Sequence, residues 1–157
     1  MRLAFFQPDI PQNLGGAVRL GACLRVGIEV IEPCAFPLSD PALRRAALDY
    51  GAKAEVTRRA SWSDFLAAAE RREGRLVLFT TRAAAPYTDF AFAGGDTLLF
   101  GQESAGAPDF VHQAAQARLI VPLAPGARSL NVIAAAAMAL GEALRQTGGF
   151  PAGPAAG

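Results

Sequence analysis

Residues 119–145 read LIVPLAPGARSLNVIAAAAMALGEALR, and this stretch predicts a strand, a loop and a helix in succession. A short apolar run rich in β-branched residues comes first, a turn broken by proline and glycine follows, and a long alanine-rich segment completes it. The loop carries Arg128, Ser129 and Asn131 directly before the predicted helix. Unpaired backbone N–H groups at a helix N-terminus favour anions and polar ligand atoms, so the loop is a candidate binding site. The alternative is that Ser129 or Asn131 only caps the helix, since both residue types are preferred there.

Four shorter apolar runs precede this stretch, and each predicts a buried strand. They cover residues 3–6, 28–31, 76–79 and 97–100, and Glu29 is the one charged residue among them. The spacing of apolar residues predicts helices over residues 17–26, where Gly27 supplies the stop, over residues 43–48, and from Ser61 to residue 72. Residues 55–57 are a candidate short strand, and residues 83–96 are predicted to be a connecting loop.

The alternation of strands and helices predicts an α/β domain with a mostly parallel sheet flanked by helices. The chain has 157 residues, 52% of them hydrophobic, so residues 1–147 are predicted to form a single domain around one core. Residues 148–157 are mainly glycine, proline and alanine and are predicted to be a disordered tail. In such folds ligands bind at the carboxyl ends of the strands. Three predicted loops lie there: residues 80–81, 101–106 and 122–131.

The charges, cysteines and histidine of the chain argue against several classes of protein. Its 15 Lys and Arg residues nearly balance 14 Asp and Glu residues, so contact with nucleic acid has to come from a local basic cluster or from two subunits together. Cys23 and Cys34 are too few for a disulfide framework or a metal site, and His112, the only histidine, is interpreted as a surface residue. No apolar stretch approaches the roughly 20 residues that span a bilayer, and the first apolar run is too short for a signal peptide. We therefore expect a cytoplasmic protein without a membrane segment or a metal.

Two further segments carry candidate site residues. Gly101 and Gly106 bracket Glu103 in a loop directly after a strand, where glycines let the backbone approach a ligand closely. The alternative is that both glycines serve only the geometry of the turn. Asn13 and Arg19 lie across the entry to the first predicted helix, where the alternative is a helix cap and a surface arginine.

Taken together, three motifs resemble those of the RNA 2′-O-ribose methyltransferases of the SPOUT class, a family with a trefoil knot. They are IPQNLGGAVR at residues 10–19, LFGQESAGAP at residues 99–108, and residues 120–131 from IVP to RSLN, in the order and at the spacing of the family. The match covers almost all of the chain apart from the tail. The small size and the segment LRRAALDY at residues 43–50 are similar to the branch that methylates the wobble nucleotide, C34 or U34, of tRNA. The chain departs from the family at Gly16, where Asn is usual, at Ser104-Ala105 in place of Thr-Arg, and at Gly141 in place of Tyr.

This resemblance implies an enzyme that moves a methyl group from S-adenosylmethionine to a ribose 2′-hydroxyl of tRNA, with the last strand, loop and helix forming the knot. The cofactor-binding residues that it implies are Phe79, Thr80, Gly101, Glu103, Val121, Ser129 and Leu130. The catalytic residues that it implies are Asn13, Arg19, Glu103 and Asn131, and the tRNA-binding residues are Arg44, Arg45 and Arg128. A guanidinium is a poor base in water, so Arg19 is expected to orient the acceptor, held in place by Asn13 and Glu103.

Two other functions stay open, and one oligomeric state is expected. The first alternative is the same chemistry at another tRNA or rRNA site, and the second is a non-catalytic nucleotide- or RNA-binding module on the same scaffold. The working unit is predicted to be a homodimer, because a near-neutral domain of this size offers little surface for a tRNA. Small residues at helical spacing, Ala17 with Gly21 and Ala134 with Ala137 and Gly141, permit close helix contacts between copies. The alternative is that these residues pack inside one subunit.

Overall fold

The strands of the chain form one sheet in the computed structural model, which describes residues 1–70 and 74–153. Within these residues there are seven strands: β1 (Arg2–Phe6), β2 (Gly27–Ile31), β3 (Val56–Arg59), β4 (Leu76–Phe79), β5 (Ala85–Pro86), β6 (Thr97–Phe100) and β7 (Ala117–Ile120). Their order across the sheet is β3-β2-β1-β6-β4-β7-β5, and every pair of neighbours is parallel. The predicted α/β fold with a mostly parallel sheet is therefore confirmed.

Helices cover both faces of this sheet. The described helices are α1 (Pro11–Leu24), α2 (Pro41–Ala47), α3 (Trp62–Glu70), α4 (Asp109–Ala114) and α5 (Val132–Thr147). Side chains alternate along β1, so Leu3 and Phe5 join a core beneath α1 and α5, whereas Ala4 and Phe6 join a core with residues of α3 and α4. A strand buried on both faces has no polar side, which explains the continuous apolar runs of β1, β4 and β6.

Helix α1 begins earlier than its sequence predicts. Ile10 is its N-cap residue and makes no side-chain cap, and Pro11 occupies the first helical turn, where its missing N–H costs nothing. Asn13 is therefore inside the helix, and the interpretation of Asn13 as a cap is wrong. The predicted stop at Gly27 is also wrong, because Arg25 takes the left-handed conformation with φ 55° and Gly27 already belongs to β2.

Other boundaries differ less. The short third strand begins at Val56 and extends to Arg59, two residues beyond its predicted end. The predicted loop 83–96 contains β5 and a 3₁₀ turn over Tyr87–Asp89, and α4 was not predicted. Helix α3 is described to Glu70, so its predicted last two residues, 71 and 72, lie outside the described residues.

The C-terminal segment follows α5 without further helix or strand in its described part. Gly148 ends the helix with φ 63°, as a C-terminal glycine commonly does. Residues 149–153 have no regular secondary structure, and residues 154–157 of the predicted disordered tail lie outside the described residues. The single domain and the knot both stay predictions. None of the helices in the described residues has the length and the apolar character that a membrane span requires.

Candidate active site

The carboxyl ends of four strands meet around one cavity of about 580 Å³. Strand β1 lies between β2 and β6, so the strand order runs outward from β1 in both directions across the sheet. In open α/β sheets, ligands bind at such a switch point in the strand order. Of the residues predicted from the sequence, the cavity brings together Asn13, Phe79, Thr80, Gly101, Glu103, Val121, Arg128, Ser129, Leu130 and Asn131. All seven implied cofactor-binding residues therefore line one cleft.

The Gly101 loop closes on itself through its backbone. Gln102 and Gly106 exchange hydrogen bonds of 3.0 and 2.9 Å, and Gly106 has φ 70°, a conformation that favours glycine. A Cβ on Gly101 would lie 2.5 Å from the backbone N of Ala107, although Gly101 has no positive φ itself. The geometry of the turn is thus by itself a sufficient reason for both glycines.

Two carboxylates hold this loop against the segment that follows β1. The backbone N–H of Asp9 donates to Glu103 Oε2 at 3.0 Å, and the backbone N–H groups of Glu103 and Ser104 donate to the Asp9 carboxylate, both at 3.2 Å. The Ser104 hydroxyl also bonds to Asp9. Burial first, and then the side-chain interaction with the Asp9 carboxyl, raise the pKa of Glu103, whereas the same side-chain interaction lowers the pKa of Asp9. As the pH falls, Glu103 therefore takes up a proton before Asp9 does.

A chain of three polar side chains joins all three motifs. Asn13 Nδ2 donates to Glu103 Oε1 at 3.0 Å, and Asn131 Nδ2 donates to Asn13 Oδ1 at 3.0 Å. Asn131 Oδ1 accepts from the backbone N–H groups of Ile133 at 2.8 Å and Ala134 at 3.3 Å. Asn131 is therefore both the N-cap of α5 and part of the cleft, so the two interpretations of this residue are compatible.

Three of the four arginines assigned to catalysis or tRNA binding, Arg19, Arg44 and Arg45, lie outside the cleft within one subunit, whereas Arg128 lines it. Arg19 is exposed, and its guanidinium carbon lies 5.7 Å from the centre of the Tyr50 ring. No hydrogen bond joins Arg19 to Asn13 or Glu103 in the described part of the chain, so the expectation that these two residues hold Arg19 in place is wrong for a single subunit. Arg44 and Arg45 are exposed on α2 and do not line the cavity either.

Three residues near the cleft were missed or misjudged from the sequence. Asp9 lies three residues beyond the end of β1, so the rule that places ligands at carboxyl ends of strands could have identified it. Arg82, which lines the cleft, follows the predicted Thr80-Thr81 loop by one residue. His112 is only 7% exposed, so its interpretation as a surface residue is wrong, because α4 packs this side chain inward.

The chain is similar to several known proteins. The profile of the SpoU rRNA Methylase family matches residues 1–141, which include every strand and loop that lines the cleft. The chain is 53% identical over 146 residues to the tRNA (cytidine(34)-2′-O)-methyltransferase of Beijerinckia indica, a match that covers 93% of this chain and 91% of that protein. A solved structure described as giving insights into the 2-OH methylation of C/U34 on tRNA matches with a TM-score of 0.88 at 39% identity, over 92% of this chain and 94% of that chain. The SpoU methyltransferase AviRb from Streptomyces viridochromogenes, in complex with the cofactor AdoMet, matches with a TM-score of 0.86 at 26% identity, over 93% of this chain and 60% of that chain.

Proposed function

The chain belongs to the SpoU methylase family, and on that premise we propose that it methylates the ribose 2′-hydroxyl of the wobble nucleotide, C34 or U34, of tRNA, with S-adenosylmethionine as the methyl donor. The observation that carries this proposal is the meeting of the three motifs at one cleft, where Glu103, Asn13 and Asn131 form a continuous chain of hydrogen bonds. Relatives that match more than nine-tenths of the chain are named tRNA (cytidine(34)-2′-O)-methyltransferase.

The lining of the cleft suits S-adenosylmethionine. Its volume of about 580 Å³ falls within the range of small-molecule sites. Apolar side chains of Phe79, Val121 and Leu130 can cover the flat faces of an adenine, whereas Thr80 and Ser129 offer polar groups to its edges and to the ribose. When bound, the cofactor supplies an electrophilic methyl group on a positively charged sulfur.

The protein's share of this chemistry is the alignment of the reacting atoms. Methyl transfer breaks a carbon–sulfur bond, forms a carbon–oxygen bond and releases the proton of the 2′-hydroxyl, so the reacting atoms have to be in line. The bonds among Glu103, Asn13 and Asn131 fix the wall of the cleft. Arg19 is assigned to orient the acceptor hydroxyl or a neighbouring phosphate, with Arg44, Arg45 and Arg128 binding the tRNA.

These assignments require a second copy of the chain. Arg19 lies outside the cleft of its own subunit, so it reaches a cleft only if a partner subunit provides one. Helix α5 offers an exposed surface for such a contact, formed by Ala134, Ala137 and Met138. The side chain of Met138 is 43% exposed. A two-fold contact would join the cleft of one copy to the basic residues of the other.

The test is transfer of labelled methyl from S-adenosylmethionine to tRNA, with 2′-O-methyl positions mapped in tRNA from cells with and without the protein. We expect label at nucleotide 34 alone, and its loss when the gene is deleted. Label at another tRNA position or in rRNA would replace the proposed substrate. Binding of S-adenosylmethionine without transfer to any RNA would instead support the non-catalytic module.

A further inference from the structure

A second cavity of about 360 Å³ adjoins the cleft. It lies between the loop that follows β4, helix α4 and strand β7, and it is lined by Arg82, His112, Arg118 and residues 83–85. Arg82 lines both cavities, so the two spaces share a wall. None of the implied cofactor-binding residues lines this second cavity.

The second cavity carries a net positive charge. Arg82 forms an ion pair of 2.8 Å with Asp109, and both side chains are largely exposed. Arg118 makes no ion pair with any residue that the structure describes, and its neighbours on β7 are the uncharged Ala117 and Leu119. One guanidinium at this cavity is therefore free to bind an anion.

His112 supplies a second, independent sign of a missing ligand. Its side chain is 7% exposed, and its Nε2 is buried without a hydrogen-bond partner among the described residues. A buried polar atom without a partner is costly, and a ligand is one recognised reason for such an atom. The pKa of His112 is lowered by burial first, then by Arg82 and Arg118, while Asp109 and a hydrogen bond with the backbone of Ala107 oppose the shift. An anion between Arg82 and Arg118 would offset the lowering of the His112 pKa by both arginines, and it would give Nε2 a hydrogen-bond partner.

We propose that this second cavity binds a backbone phosphate of the substrate RNA, next to the nucleotide that enters the cleft. The inference rests on the proposed function. Every nucleotide of an RNA carries a phosphate, and the planar guanidinium fork of Arg118 matches phosphate oxygens. The shared wall at Arg82 places this anion site beside the reacting nucleotide, and the chain's net charge of +1 means that such contacts have to be local.

The first test is the tRNA affinity of Arg118→Gln, measured by fluorescence anisotropy at several salt concentrations. Loss of one charge-assisted phosphate contact should weaken binding about tenfold at low salt. It should also reduce the slope of log affinity against log salt by about one. The control is Arg58→Gln, an exposed arginine on the opposite edge strand β3, which should change neither quantity. Calorimetry should show the same S-adenosylmethionine affinity for both variants.

The second test uses His112 as a reporter, since it is the only histidine and its ring signals in NMR are unambiguous. Adding tRNA to the full chain should shift these signals and raise the pKa of His112, and Arg118→Gln should remove most of that change. An unchanged tRNA affinity and salt slope in Arg118→Gln would overturn the proposal. A response of His112 to inorganic phosphate but not to tRNA would also overturn it, by identifying a site for the free ion. If the wild type binds no tRNA, the proposed function itself fails. If the wild type binds tRNA and Arg118→Gln binds it equally well, only the phosphate site fails.

Discussion

The pKa values of Glu103 and Asp9 are shifted in opposite directions in the folded protein, and this has a consequence for stability. The pKa of Glu103 is raised above its ordinary value of 4.5, so Glu103 stabilises the fold below that pH and loses this contribution as the pH rises through the raised pKa. The lowered pKa of Asp9 has the opposite sign: its contribution is present above 3.8 and is lost as the pH falls. The contribution of Asp9 therefore changes below pH 3.8 and that of Glu103 above pH 4.5, so only the contribution of Glu103 declines towards neutral pH.

Replacing Glu103 with Gln should remove that decline. The amide stays uncharged, so we expect the stability of Glu103→Gln relative to the wild type to increase between pH 4 and pH 7. Urea unfolding at several pH values measures this difference. Glu55→Gln is the control, because that carboxylate is 65% exposed and pairs with Arg2 at the sheet edge. A difference for Glu103→Gln that does not vary with pH would contradict the raised pKa of Glu103.

Arg19 gives the sharpest test of catalysis at the scale of one residue. Arg19→Ala should lower methyl transfer at least about 100-fold, because the acceptor loses the group that orients it. The affinity for S-adenosylmethionine should stay unchanged, since Arg19 does not line the cleft of its own subunit. Lys53→Ala is the matched control: its ammonium lies 5.6 Å from the centre of the same Tyr50 ring, and it should leave turnover nearly unchanged. Near-normal turnover of Arg19→Ala would remove it from the mechanism.

At the scale of elements, the N-terminus of α5 combines a cap with a bond across the cleft, and two variants separate these roles. Asn131→Asp keeps an oxygen that can accept from the first-turn N–H groups, so stability should stay within roughly 0.5 kcal/mol of the wild type. Asn131→Ala loses the cap and should cost about 1 kcal/mol. Both variants lose the donor to Asn13, so both should transfer methyl slowly. Full activity in Asn131→Asp, measured beside its unfolding curve, would show that the donor is not needed.

The apolar strands were predictable from the sequence because both faces of the sheet are covered. Residues 3–6, 76–79 and 97–100 are fully buried, so their apolar runs carry no competing polar pattern. The start of α1 was not predictable in the same way, since Pro11, Asn13 and the glycines around residue 15 are also typical of a loop. Helix α4 has six residues, too few for a periodic pattern.

The misplaced start of α1 also explains why the sequence did not predict the position of Arg19 relative to the cleft. Because α1 begins at Pro11, Asn13 and Arg19 lie on one helix, and six residues at about 100° each place them roughly 120° apart around its axis. Asn13 therefore faces the cleft whereas Arg19 faces away from it. The cofactor loops were predictable because each directly follows a strand end, and this depends on strand positions alone. The partner of Arg19 depends on how whole helices are oriented, which local sequence does not specify.

At the scale of the whole molecule, the structure changes how a dimer can be tested. Ala17 and Gly21 are buried, and a Cβ on Gly21 would lie 2.7 Å from the side chain of Ile28. These two small residues pack inside one subunit, so the alternative interpretation is correct for them. A Gly21→Arg variant would therefore disrupt the core and would not report on association. Ala134 and Ala137 on α5 are exposed instead.

Ala137→Arg is therefore the variant that tests the homodimer. An arginine in the middle of the exposed face of α5 should prevent close approach of a second α5 without touching the subunit's own core. We expect the wild type to sediment as a dimer at micromolar concentration. Ala137→Arg should sediment as a folded monomer with at least tenfold slower methyl transfer, because Arg19 then has no partner cleft to reach. Ala67→Arg makes the same substitution on the exposed side of α3, beyond the opposite face of the sheet, and should stay dimeric and active. A wild-type protein that is fully active as a monomer would show that Arg19 works within its own subunit, and the assignment of the acceptor side would have to change with it.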